Sequence, residues 1–123
     1  MKLTKNFSKS EFDCKCGCEM PEKVLYNIKV LVEDLQYLRD YLNKSIKINS
    51  GYRCENHNRD IGGVVDSQHI KGLASDIVVK DKTPLDIFSI IDKLKKEGKL
   101  KKGGLGLYNS FVHYDIRGYN VKW

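Results

Sequence analysis

Two short strand-like segments carry polar residues in an otherwise apolar background, and they constrain this chain more than anything else in it. The first, Leu73-Ala-Ser-Asp-Ile-Val-Val79, follows Gly72 and ends in a β-branched run, the signature of a buried strand. Strand side chains alternate, so Ala74, Asp76 and Val78 share one face and Ser75, Ile77 and Val79 the other. The second, Phe111-Val-His-Tyr-Asp-Ile116, places His113 and Asp115 on one face at period 2. Burying a bare carboxylate is expensive, so Asp76 needs a partner. Two such strands side by side would make the floor of a site.

The rest of the chain supplies the frame. Ser8-Lys-Ser-Glu11 reads as a capping box opening a short helix. Pro21 stands where a helix can start. Val24, Ile28, Leu31, Leu35 and Leu38 then recur at intervals of four and three, which predicts an amphipathic helix ending near Asn43. Its stripe is read as core. Ile46 to Asn49 alternates as a short strand stopped by Ser50-Gly51, and residues 54–66 read as loop or a single helical turn broken by Gly62-Gly63. Thr83-Pro84-Leu-Asp86 starts a helix whose apolar face is Ile87, Ile90, Ile91 and Leu94 and which Gly98 ends. Residues 104–108 and 111–116 look like a closing hairpin. Helices early, strands interleaved and a terminal hairpin predict an α+β fold with a mostly antiparallel sheet and flanking helices. At 123 residues the expectation is one domain, 1–123.

His69, Asp76 and His113 are residues of the types that hold a catalytic zinc. Two imidazoles and a carboxylate fill three corners of a tetrahedron and leave the fourth open. Zinc held that way brings the pKa of water to about 7 and polarises carbonyl oxygens, as amide hydrolysis requires. The chain has only 3 histidines, and a lone histidine is more often a surface or satisfied core residue than a ligand. The remaining one, His57, reads as a loop residue near the cleft mouth.

Several elements together resemble a known family. They are Ser50-Gly-Tyr-Arg53, Asn58, Gly62-Gly63, Ser67-x-His69-x-x-Gly72-x-Ala74-x-Asp76, Gly104-x-Gly106-x-Tyr108 and Phe111-Val-His113-x-Asp115-x-Arg117-Gly118. The pattern is similar to the zinc D-Ala-D-Ala carboxypeptidases, a family that includes phage L-alanyl-D-glutamate endolysins and shares its fold with the zinc domain of hedgehog proteins. It runs from about Phe7 to Gly118. The resemblance implies a small α+β peptidase fold with one zinc on His69, Asp76 and His113. It implies Arg53 beside the substrate carbonyl as oxyanion stabiliser and substrate contact, and Ser67 bonded to substrate backbone. The implied reaction is hydrolysis of an amide bond in peptidoglycan stem peptides, by carboxypeptidase or endopeptidase action. Many relatives carry a catalytic Glu three residues before the last histidine ligand; Ser110 stands there in this chain, with Asn109 before it. Asp115 is the nearest carboxylate on the right face and is the candidate acid/base. Its alternative role is to orient a histidine. A zinc-binding module without peptidase activity, or a phage structural accessory, is the competing reading.

Charge and cysteines complete the picture. Lys+Arg 22 against Asp+Glu 16 gives +6, which suits an anionic partner, whether wall polymer or nucleic acid. Lys93, Lys95, Lys96, Lys99, Lys101 and Lys102 gather at one helix end, where cations also favour the helix dipole. No nucleic-acid motif accompanies them, and no apolar run approaches a membrane span. The polar start, Met1-Lys-Leu-Thr-Lys-Asn, is not that of a secretory signal, so the expectation is a monomer made in the cytoplasm and acting at the wall after release. Cys14, Cys16, Cys18 and Cys54 admit reduced thiols, disulfides or a metal site. Alternate positions lack the usual two- to four-residue gap between ligands, which favours thiols. One of the first three is expected to pack near Cys54.

Overall fold

The computed structural model describes all residues 1–123. Ser8 opens a 3-10 turn at Lys9–Phe12, its backbone N–H donating to Glu11 Oε2 at 2.7 Å, as the capping box requires. Helix α1 spans Glu22–Leu42 and stops at Asn43, whose φ of 51° is the left-handed conformation that ends helices. Val24, Ile28, Leu31, Leu35 and Leu38 are all buried along it. Each such side chain contributes roughly 1.5–3 kcal/mol relative to exposure. Strand β1 (Ile46–Ser50) leads to the short helix α2 (Glu55–Asp60), then to β2 (Ala74–Val79) and α3 (Pro84–Lys96). Thr83 caps α3 reciprocally with Asp86. Strands β3 (Gly104–Leu107), β4 (Val112–Asp115) and β5 (Val121–Lys122) close the chain.

The sheet has five strands in the order β1-β2-β4-β3-β5, antiparallel except for the β3–β5 pair. An α+β fold with a mostly antiparallel sheet and flanking helices is therefore what forms. The parallel edge strand β5 is an addition to the expected hairpin. The 54–66 segment holds a six-residue helix rather than loop alone. No helix is long and apolar enough to cross a membrane.

Register decides what each face carries. Asp76 lies opposite His113, and His113 opposite Gly106; Ile77 lies opposite Val112, and Ser75 opposite Tyr114. The Ile77, Val112, Tyr114 and Leu105 side packs into one apolar cluster with the α1 stripe and with Ile87, Ile91 and Leu94 of α3. The other side carries Asp76, His113 and Asp115. Helix-backed core on one face thus leaves the polar row free to face a cleft.

Candidate metal centre

The polar row is the floor of a cleft of about 920 Å³. Its lining includes Arg53, Ser67, His69, Asp76, His113 and Arg117. His69 reaches it from the turn before β2, and Asp76 and His113 from adjacent strands. All three are buried. Their ligand atoms lie within 4.8 Å of one another. Asp76 Oδ1 is 3.2 Å from His69 Nε2 and 3.2 Å from His113 Nδ1.

Each ring is anchored through its outer nitrogen. His69 Nδ1 is 2.8 Å from the Gly51 carbonyl oxygen, which only accepts, so Nδ1 carries the proton. His113 Nε2 is 2.7 Å from Asp115 Oδ2, again an acceptor, so Nε2 carries it there. The opposite nitrogens, His69 Nε2 and His113 Nδ1, both face Asp76 Oδ1. Burial opposes ionisation of Asp76, but its contacts with His113 and His69 outweigh it and hold the carboxyl well below the usual carboxylate range. Two ring nitrogens and a carboxylate oxygen thus converge on one point. A cation satisfies all three at once, and two imidazoles with one carboxylate is a donor set suited to zinc.

The groups around the donors fix their aim. Asp115 is fully buried and does not line the cleft. Besides His113, its oxygens accept from the backbone N–H groups of Gly104 at 2.7 Å and Arg117 at 3.0 Å, and from Arg117 Nη2 at 2.7 Å. Burial would raise its pKa, but these bonds hold it below the ordinary range. In the other direction, burial would lower the pKa of His113, and the bonds to Asp115 and Asp76 raise it instead.

Arg53 sits across the cleft floor. Its Nη2 is 3.5 Å from Asp76 Oδ2, Nη1 donates to Asn58 Oδ1 at 2.9 Å, and Nε donates to Ser50 Oγ at 3.1 Å. Burial lowers its pKa from the usual guanidinium value. Asn58 in turn donates to the Val64 carbonyl at 2.9 Å. Gly63 permits this cradle, because a Cβ there would stand 2.1 Å from Asn58 Oδ1. Ser67 Oγ accepts from the His69 N–H at 3.2 Å, which ties down the turn carrying that ligand.

The sequence pattern included Asn58 and Arg117 without a role: Arg117 pins Asp115, and Asn58 pins Arg53. It missed Trp123, whose ring lies 5.1 Å from His113 and 5.4 Å from the Arg117 guanidinium. The period-2 glycines were the available signal. Gly104 and Gly106 share the cleft face, where a Cβ would strike Asp115 and Trp123 respectively. The reading of His57 as a loop residue near the cleft mouth is corrected: it belongs to α2 and does not line the cleft. Asn109 and Ser110 are exposed between β3 and β4 and do not line the cleft either.

A family model described as Peptidase M15 matches residues 4–115, nearly the whole chain. No curated protein matches it.

Proposed function

Because the chain belongs to the peptidase M15 family, which includes D-Ala-D-Ala carboxypeptidase and endolysin-like zinc peptidases, we propose that it hydrolyses an amide bond in peptidoglycan stem peptides. The observation that carries this reading is the convergence of two imidazole nitrogens and a carboxylate oxygen on the floor of an open cleft. His69 Nε2, Asp76 Oδ1 and His113 Nδ1 would hold one zinc. When bound there, zinc supplies Lewis acidity, which lowers the pKa of water to about 7 and polarises a carbonyl.

The chain's own residues do the rest. The Arg53 guanidinium remains charged at working pH and is held as a fork by Ser50 and Asn58. Aimed at the scissile carbonyl, it stabilises the negative charge that develops on oxygen. Ser67 retains its hydroxyl proton for substrate backbone while its lone pair holds His69. Asp115 acts by position. Its oxygens are committed to Gly104, Arg117 and His113, and it has no surface on the cleft, so it orients the His113 ring rather than taking a proton from substrate water. Asp66 is the other carboxylate on the cleft wall beside the ligand Asp76, and it becomes the candidate base. The stem peptide, with a D-residue at the cut bond, is the substrate class that family membership supports, and the basic surface favours the anionic wall. Release at the wall as an endolysin fits the same reading.

The test is mass spectrometry of fragments from purified peptidoglycan treated with the zinc-loaded chain and with His69→Ala. New stem-peptide termini with the native chain alone are expected, and they identify the bond. A zinc-loaded native chain that binds the wall and releases no fragment would establish a binding module instead.

A further inference from the structure

We propose that Cys14, Cys16, Cys18 and Cys54 hold a second metal ion, a structural zinc separate from the cleft. Their sulfurs form a compact group with all four ligand atoms within 4.8 Å of one another. The Sγ–Sγ separations are 3.3 Å for Cys14–Cys16, 3.6 Å for Cys16–Cys54 and 3.9 Å for Cys14–Cys54. Zinc–sulfur bonds of about 2.3 Å place tetrahedral sulfurs about 3.8 Å apart, so the group has the dimensions of an S4 cage. Disulfides require sulfurs at about 2.05 Å, and all four cysteines are free.

Sequence spacing argued against such a site, and the backbone shows why it forms. Gly17 has φ of 84°, and its N–H donates to the Cys14 carbonyl at 3.0 Å. That turn folds the segment back on itself, so three sulfurs at alternate positions face one point instead of opposite sides of an extended strand. Cys54 comes from 40 residues after Cys14 in the chain, at the start of α2. The His57 N–H donates to Cys54 Sγ at 3.4 Å, and the Cys54 N–H donates to Cys14 Sγ at 3.5 Å. Donors aimed at sulfur favour the thiolate that a metal requires. None of the four lines the cleft, so the cluster has no part in holding substrate.

Its position gives it a purpose. Cys54 follows Arg53, whose N–H donates to the His69 carbonyl at 3.1 Å, and the Tyr52 N–H donates to the Phe12 carbonyl at 2.8 Å. A metal on the four sulfurs clamps the amino-terminal segment to the loop that carries Arg53. Binding would release the thiol protons and return folding free energy.

The experiment is metal analysis of the full chain, purified under reducing conditions without added metal. Two zinc equivalents are expected. A thiol-specific mercurial should release one of them from the native chain. His69→Ala should keep that thiol-held equivalent, and Cys16→Ser should lose it while keeping the other. The cobalt-loaded native chain should show thiolate charge-transfer absorption that Cys16→Ser lacks. Because the mercurial titration needs no variant, a substitution that fails to fold leaves the test intact. One equivalent that the mercurial does not release, or a mass lowered by the hydrogens lost to disulfides, overturns the proposal without touching the cleft site.

Discussion

Replacing Asp115 by Asn separates orientation from proton transfer. In the native chain Oδ2 accepts from His113 Nε2 at 2.7 Å and from Arg117 Nη2 at 2.7 Å, while Oδ1 accepts from Gly104 N–H at 2.7 Å. An amide has one acceptor oxygen where the carboxylate has two. If its NH2 faces His113, it opposes the Nε2 proton, and the ring relieves this by moving the proton to Nδ1, the nitrogen that faces Asp76. If the NH2 faces Gly104, two donors meet in a buried site. Either arrangement weakens zinc binding, by about ten- to a hundredfold, or about 1.4–2.7 kcal/mol. Loss of the charge also leaves Arg117 without its anion. The full cost of breaking a buried pair is about 3–5 kcal/mol, reduced here because the Arg117 side chain is 18% exposed. The Asp115 pKa is held low in the fold, so its stabilisation is complete above the ordinary carboxylate range and fades as pH falls below it. Destabilisation by Asp115→Asn should therefore be largest at neutral pH and shrink in acid. The assay is chelator competition for zinc beside activity titrated with zinc. Activity should recover at saturating metal. Unchanged zinc affinity with turnover down about 10²–10⁴-fold at saturation would refute orientation and establish Asp115 as the acid/base.

Three further outcomes are expected. Arg53→Lys should lower turnover on the order of a hundredfold while zinc content stays unchanged, because a single ammonium nitrogen cannot span the separated positions that the planar guanidinium fork covers at Ser50, Asn58 and the substrate; unchanged turnover would remove the oxyanion role. Gly63→Ala should cost about 1–3 kcal/mol in urea unfolding and depress turnover, since the added Cβ displaces Asn58 and through it Arg53. Tyr114→Phe should cost about 1.5–3 kcal/mol with an unchanged denaturant slope, because the Tyr114 hydroxyl donates to the buried Asp34 carboxylate at 2.6 Å; the backbone and side-chain N–H groups of Lys101 remain on Asp34 and should prevent unfolding outright.

What was legible in the chain followed from period and capping. The α1 stripe, the Thr83–Asp86 box and the shared face of His113 and Asp115 are local patterns, and local geometry is enough to determine them. The grouping of His69, Asp76 and His113 is non-local; residue type suggested it and the family resemblance strengthened it, where periodicity could do neither. Three features stayed hidden for different reasons. Strand β5 is two residues long, too short to show alternation. The cysteine group depends on one positive φ at Gly17, which spacing does not reveal. The choice between two roles for Asp115 depends on which of its lone pairs are occupied, and its partners Gly104 and Arg117 become neighbours only when β3 and β4 pair.

The cross-strand placement of Asp76 against His113 also sets an order of events during folding. His69 and Asp76 are seven residues apart, but His113 lies 37 residues beyond Asp76. Loop closure over that distance must precede the reward, so the β2–β4 pairing belongs to the slower, topologically demanding part of folding. A chain still emerging from the ribosome holds two of the three donors for as long as it takes to make and dock β4. Two donors bind metal weakly, and the third completes the set only when the register is right. A slip of one residue would turn His113 toward the core and away from the cleft. A metal held at the cleft would therefore load late, and its loading would read out correct strand pairing.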